Sequence, residues 1–323
     1  LSLSGDHSTI YTELLLSKGR NLTLCLNGKT LSATNSASSY DHIRVTDGAK
    51  LRIEDCSGIG TVRGTGVAGG VGGIAYVKGG ELTIAGGTLT GGIAKTGGAI
   101  VVDAGGVLNI VGGEISGNVV TSGNGGAIYV KSGGTVNIYG GVIRDNHVYS
   151  GSGGAIYVAS GGTVNLYGGT ITGNMASGLG GGICVEEGGT LNIEGSPVVT
   201  GNTVSGKANN VYLCAVKEPG ITVTGEMMDG AQIGVTTAGE YPAMIVSGAK
   251  SAQNCAAYFS ADDPDAIVAR YDNALCIITR PVATLSGNTL TVKTGTLRPG
   301  LVLLAAEYDA SGRMLSVQSL NVE

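Results

Sequence analysis

The chain has 323 residues, 59 of them glycine, only 13% charged, and a net charge of −5. The acidic balance gives no electrostatic reason to expect nucleic acid or an anionic membrane surface as a partner, and no apolar run approaches the ~20 residues of a membrane helix. Six prolines and no Gly-X-Y period exclude collagen, and six cysteines with no Cys-x-x-Cys spacing are too sparse for a disulfide-dense scaffold and give no zinc signature.

Taken from the start, the chain opens at Leu1 with no leader pattern, which reads as a piece of a longer protein. Alternating text appears as LTLCL from Leu22, LRIED from Leu51 and GGELTIAGG from Gly79. A repeat then sets in. GGAI occurs at Gly97, Gly125 and Gly153, with GGI at Gly181, in steps of 28 residues. GGVLNIVGG, GGTVNIYGG and GGTVNLYGG follow from Gly105, Gly133 and Gly161, and GGTLNIEGS from Gly188 after a slightly shorter step. Asn118, Asn146, Asn174 and Asn202 close successive units, again 28 apart.

Each unit holds three alternating runs, such as AIYV (155–158), TVNLYG (163–168) and TITGN (170–174), separated by Gly-rich turns. Alternation over four to six residues between turns predicts strands, and three strands per constant-length turn predict an all-β parallel β-helix with three strands per ~28-residue rung. The inward positions are Ile128 and Val130, Ile156 and Val158, Ile183 and Val185, Val136 and Ile138, and Val164 and Leu166. Like would stack on like to fill a continuous aliphatic column, because one rung cannot bury its own face.

Beyond Lys217 the pattern loosens. ITVTG (221–225), IGVTT (233–237) and ALCIIT (274–279) read as strands of irregular last rungs, with Phe259 and the acidic run Asp262–Asp263–Pro264–Asp265 in a loop. After Pro281 the Gly-Gly repeat stops and two turn-separated alternating stretches predict a small β module. The expected domains are therefore 1–280, the β-helix, and 281–323, the small or partial β-sandwich module. The repeat sets Cys184 opposite Tyr212, two residues out of step with Cys214, and Cys25 and Cys56 share that offset. A two-residue offset puts the Cα atoms roughly 8 Å apart, so free thiols are expected.

The GGAI blocks paired with ISGN, ITGN and VTGN ends resemble the repeats of chlamydial polymorphic outer-membrane proteins. NLTLCLNGKTL (21–31), VTDGAKLRIEDCSGIGTVRG (45–64) and ITVTGEMMDGAQIGVTT (221–237) are similar to segments of large secreted or wall-anchored proteins of gut Firmicutes, a likeness covering roughly residues 10–280. LLAAEYDASGRMLSVQ (303–318) resembles the opening strands of a β-sandwich module found after such solenoids. The resemblance implies a right-handed, pectate-lyase-like β-helix that is secreted or displayed at the cell surface. It does not imply an activity, because that fold carries lyases, hydrolases, adhesins and spacers.

General acid–base chemistry on polysaccharides needs two carboxylates facing one groove. The regular rungs offer Lys78, Asp103, Lys131, Ala159 and Glu186 along one outward row, an alternating-sign ladder rather than a carboxylate pair. Arg144, Asp145 and His147, beside Tyr149, form the densest polar cluster; they are candidate catalytic residues or a solvated corner. All three histidines, His7, His42 and His147, read as surface residues. The Asn118–Asn202 column is either a ligand ladder or a stacked structural row. One outward row reads Tyr76, Val101, Tyr129, Tyr157, Cys184 and Tyr212, a second Tyr139 and Tyr167, and a polar row Thr83, Asn109, Asn137, Asn165, Asn192 and Thr222. Tyr76, Tyr129, Tyr157 and Tyr212 are the candidate ligand-binding residues, with packing between strand neighbours as the other reading. The expected function is an extracellular stalk or adhesion module that binds glycan or a host or cell-surface protein along a flat face, without cofactor or metal. The alternative is a polysaccharide lyase or glycoside hydrolase with its cleft at the irregular end, near Asp262, Asp263 and Asp265.

Overall fold

The computed structural model describes residues 1–10, 14–33, 42–64, 70–214, 220–239, 241–247, 255–271, 274–280, 282–286, 289–293, 302–308 and 314–321. Strands stack in parallel as a β-solenoid of about 8 turns. One rung shows the construction: Ile128–Val130, Thr135–Ile138 and Val142–Arg144 follow one another around the column. Each pairs with its counterpart in the next rung, Ile128 with Ile156, Val136 with Val164 and Ile143 with Ile171. Ile156 pairs in turn with Ile183, so the predicted inward column is continuous.

The alternation decides the burial. Ile128, Val130, Val136, Ile138 and Ile143 are all buried, whereas Tyr129 and Asn137 between them are partly exposed. Burying each of these aliphatic side chains is worth about 1.5–3 kcal/mol. The shaft is one contiguous core running from Leu3 to Ile277. The looser early copies join it in register, Leu22 on Leu51 and Leu51 on Leu82.

The structure adds a fourth, two-residue strand to the rungs. Ile93–Ala94, Val119–Val120, His147–Val148, Met175–Ala176 and Thr203–Val204 form their own short parallel ladder. Val120, Val148 and Ala176 stack in a small separate core beneath it. The sequence reads these segments as plain links, because a single inward residue per strand leaves no alternation to detect.

Glycine shapes the corners in two ways. Gly117, Gly173 and Gly201, each just before a column asparagine, have φ of 63°, 68° and 69°, in the left-handed region. Gly98, Gly126 and Gly154 are small for a different reason: a Cβ on Gly126 would be driven into the carbonyl oxygen of Gly154 on the next rung.

The irregular end closes the column. Gln232–Thr237 pairs with Val198–Val199 through its first residues and with Val211–Leu213 through its last, joining two ladders around a corner. Phe259–Ala261 extends that ladder in parallel, so Phe259 lies in a strand and is buried, not in a loop as expected. Ala243–Ser247, Ala274–Thr279 and Ala266–Tyr271 then pair antiparallel, which the repeat did not announce. An antiparallel hairpin at the end of a parallel stack covers an edge that would otherwise template further pairing. Beyond it, Val282–Ser286 pairs antiparallel with Thr289–Lys293, and Val302–Tyr308 with Met314–Asn321. Among the described residues no helix is long and apolar enough to cross a membrane.

Candidate functional site

The predicted row exists in register, although Val101 and Cys184 within it are buried rather than exposed. Arg44, Tyr76, Val101, Tyr129, Tyr157, Cys184 and Tyr212 are successive partners on one ladder. The four tyrosines are half-buried. Tyr129 and Tyr157 stack with centroids 5.4 Å apart and planes 5° from parallel. Facing rings occupy each other's π-faces, so between them this pair presents ring edges and hydroxyls rather than open faces. Burial, reinforced by the negative charge of Glu186, raises the pKa of both phenols and keeps them neutral hydrogen-bonding groups.

Tyr76 is differently placed. Its hydroxyl donates to Asp103 Oδ2 at 2.5 Å, and Lys131 Nζ reaches the same oxygen at 2.8 Å. Arg44 and Lys131 lie 5.1 and 5.6 Å from the Tyr76 ring centroid, within cation–π range. Burial works to raise the Asp103 pKa, but the Lys131, Tyr76 and Ala104 N–H hydrogen bonds overcome it and bring it down to about 2. Asp103 is therefore a fixed anion in an ion pair, as the alternating-sign row predicts, and is unsuited to donating a proton.

The neighbouring flank carries the second row. Tyr139 and Tyr167 stack at 4.8 Å, and Tyr139 is 51% exposed. Beside them the outer asparagines form a ladder: Asn137 donates to Asn109 (2.9 Å), Asn165 to Asn137 (2.7 Å) and Asn192 to Asn165 (2.8 Å). At its N-terminal end this flank has a groove of about 370 Å³ lined by Thr23, Lys50, Arg52, Glu81 and Thr83 among others, with Lys50 paired to Glu81 at 2.8 Å.

Arg144, Asp145 and His147 do sit at one corner, but they do not converge. Arg144 is paired to Glu114 at 2.9 Å and to Asp145, and the two carboxylates hold its pKa above the ordinary value. Asp145 has φ of 55°, occupying the corner that Gly117 and Gly173 fill on adjacent rungs. His147 belongs to the short fourth strand and lies against Tyr149, with ring centroids 4.3 Å apart and planes tilted by 33°. Contrary to the surface reading, His147 is half-buried; so is His42, where burial pushes the imidazole pKa down. The side chain of His7 lies outside the described residues.

The inner asparagine column is a structural row. Asn118, Asn146, Asn174 and Asn202 are fully buried. The Oδ1 of Asn146, Asn174 and Asn202 each accepts from the backbone N–H and side-chain amide of the preceding asparagine, as Asn146 does from Asn118 at 3.0 and 2.9 Å, while Asn118 Oδ1 accepts from the Gly92 N–H. Each Nδ2 also ties down two carbonyls, for Asn146 those of Ile115 and Arg144. The column runs further than the repeat shows. Asn202 passes to Asn210, and Asn210 donates from its N–H and Nδ2 to the two oxygens of Asp262, both at 2.6 Å. Thr236 Oγ1 adds a third bond to Asp262 at 2.9 Å. A carboxylate ends the chain of amides because it accepts without donating. Asp263 accepts from Tyr241 and from the Asp265 N–H. The acidic run thus braces the capped end.

One cysteine pair corrects the sequence reading, whereas Cys184 and Cys214 are free thiols as expected. Cys25 and Cys56 form a disulfide, with Cα atoms 6.4 Å apart rather than about 8 Å. Cys25 pairs with Glu54 in the ladder, and the strand Lys50–Glu54 ends there, so the chain bends and returns Cys56 over its partner. Glu54 lies close to both sulfurs, a metal-like trio, but sulfurs joined to each other leave no thiolate ligands. Comparison with protein-family models, with curated proteins and with solved structures finds no match for this chain.

Proposed function

We propose that this chain is a secreted or surface-displayed β-helix that serves as a stalk or adhesion module and binds a glycan or a host or cell-surface protein along a flat flank. The observation that carries the proposal is the ladder on which half-buried Tyr76, Tyr129, Tyr157 and Tyr212 share one face, with Lys131 and Glu186 alongside. Aromatic edges with polar tips on a surface that does not reorganise recognise a partner at low entropic cost. The Cys25–Cys56 disulfide supports an oxidising, extracellular location. In this reading the solenoid of residues 1–280 is right-handed and pectate-lyase-like, related to wall-anchored proteins of gut Firmicutes. Residues 281–323 begin a separate module of a longer multidomain protein.

The test is binding to a glycan array, to mucin and to host-cell surface protein, with the Tyr129→Ala/Tyr157→Ala double variant as control. Binding that falls at least tenfold in the double variant, at unchanged circular dichroism, supports the row. Binding that survives the double change removes the tyrosines from the interface.

A further inference from the structure

A second sulfur pair, Cys184 and Cys214, repeats the geometry of the first. Cys184 stands in Ile183–Val185 and pairs with Tyr212, and Cys214 follows two residues later, just past the end of Val211–Leu213. Cys25 pairs with Glu54, and Cys56 follows two residues later, just past the end of its strand. The offset across adjacent rungs is therefore the same, and the molecule already bridges it once. At the second position the Sγ atoms are 4.0 Å apart. Cys184 is buried and Cys214 is half-buried, so one sulfur is reachable from solvent and the other is not.

We propose that Cys184 and Cys214 are a redox site that closes to a second cross-rung disulfide, fastening the Val211–Leu213 rung to the one before it near the irregular end of the solenoid.

The chemistry follows from the asymmetry of the pair. The two sulfurs share a hydrogen bond, which lowers the Cys214 pKa against the opposing effects of burial and of Glu186, while the same bond and burial push the Cys184 pKa up. Cys214 is thus the first to ionise and the more accessible, the two requirements for the attacking sulfur. A low-molecular-weight disulfide such as oxidised glutathione is the oxidant. The Cys214 thiolate attacks one of its sulfurs, expelling one glutathione thiolate and leaving a mixed disulfide. Cys184 then loses its proton to solvent, and its sulfur attacks Cys214 Sγ and expels the second glutathione. Two protein thiols are oxidised, one external disulfide is reduced to two thiols, and one S–S bond forms across the rungs. Bringing the sulfurs from 4.0 Å to bonding distance, about 2.05 Å, needs side-chain rotation and a small shift of the chain at Cys214, where the strand has already ended.

The experiment uses the intact chain. Purified protein is incubated with oxidised glutathione, accessible thiols are blocked with N-ethylmaleimide, and the disulfides are mapped by mass spectrometry of non-reduced peptides. Thermal melts are run on the same samples and on Cys214→Ser, which keeps Cys25–Cys56. The expected result is a peptide joining Cys184 to Cys214, with a melting temperature several degrees above the untreated thiol form and no such rise in Cys214→Ser. Recovery of both cysteines as maleimide adducts after oxidation would overturn the proposal. So would a lasting glutathione adduct on Cys214 with Cys184 still reduced, since that shows the buried thiol cannot resolve it.

Discussion

Replacing Asn146 with alanine tests whether the buried amide column holds the rungs together. Asn146 is 1% exposed and its side chain makes five bonds. Its Oδ1 accepts from the Asn118 N–H and Nδ2, and its Nδ2 donates to the Ile115 and Arg144 carbonyls as well as to Asn174 Oδ1. Alanine leaves the Asn118 N–H without an acceptor in a site closed to water, which costs about 1–3 kcal/mol. The carbonyl bonds lost add about 1 kcal/mol each. Asn118 Nδ2 keeps Leu89 O and Ser116 O, and the Asn146 N–H keeps Asn174 Oδ1, so the damage stays local. The sum is roughly 3–5 kcal/mol, or about 6–10 °C at ~2 °C per kcal/mol for a large chain. The control is Asn165→Ala in the outer ladder. That residue also bonds two asparagines, but it is half-exposed, and water replaces the lost partners for under about 1 kcal/mol. Thermal and urea melts followed by circular dichroism read the difference. Equal losses for the two variants would refute the claim that burial, rather than the bonds themselves, makes the inner column matter.

Three further outcomes follow from the same geometry. Gly126→Ala forces a methyl group against the Gly154 carbonyl, so the protein should lose several degrees of melting temperature or fail to accumulate in soluble form, whereas Gly48→Ala, at an open corner, should show only the smaller effect of its positive φ. Asp145→Gly places glycine where φ is 55° and should be neutral or stabilising by about 0.5–1 kcal/mol, although it removes an ion pair with Arg144; a large loss in a urea melt would mean the aspartate does more than turn the chain. Asp103, with its pKa brought down to about 2 from an unfolded value near 4, stabilises the fold above pH 4 and loses that contribution as the pH falls from about 4 to 2. Wild type should therefore lose more stability than Asp103→Asn across that window, as read by acid titration of the melting temperature.

Much of the architecture is legible before any coordinate. A constant interval between GGAI blocks fixes how many residues encircle the column, and alternation within each run selects Ile128, Val136 and Val164 for the interior. The tyrosine and outer asparagine rows follow from the same arithmetic, because parallel in-register stacking brings identical positions together. The candidate site is less legible. The tyrosines are found where they are expected, but the near-parallel stacking that hides the facing sides of Tyr129 and Tyr157 depends on rotamers and rung spacing. Arg144, Asp145 and His147 form a cluster in the text, yet one residue is an ion-paired arm, one a glycine stand-in and one a member of a strand too short to show a period.

Periodicity determines what repeats, and so the sequence by itself specifies the solenoid, its core and its outward rows. Only the tertiary structure decided what happens where the repeat breaks. The bend after Glu54 brings Cys56 back to Cys25, the excursion after Asn202 hands the amide column to Asn210, and Phe259–Ala261 carries Asp262 into position to end it. These contacts join residues whose separation follows no common interval, Asn210 and Asp262 being 52 apart. Their meeting depends on where the chain turns in space, which a local pattern does not encode.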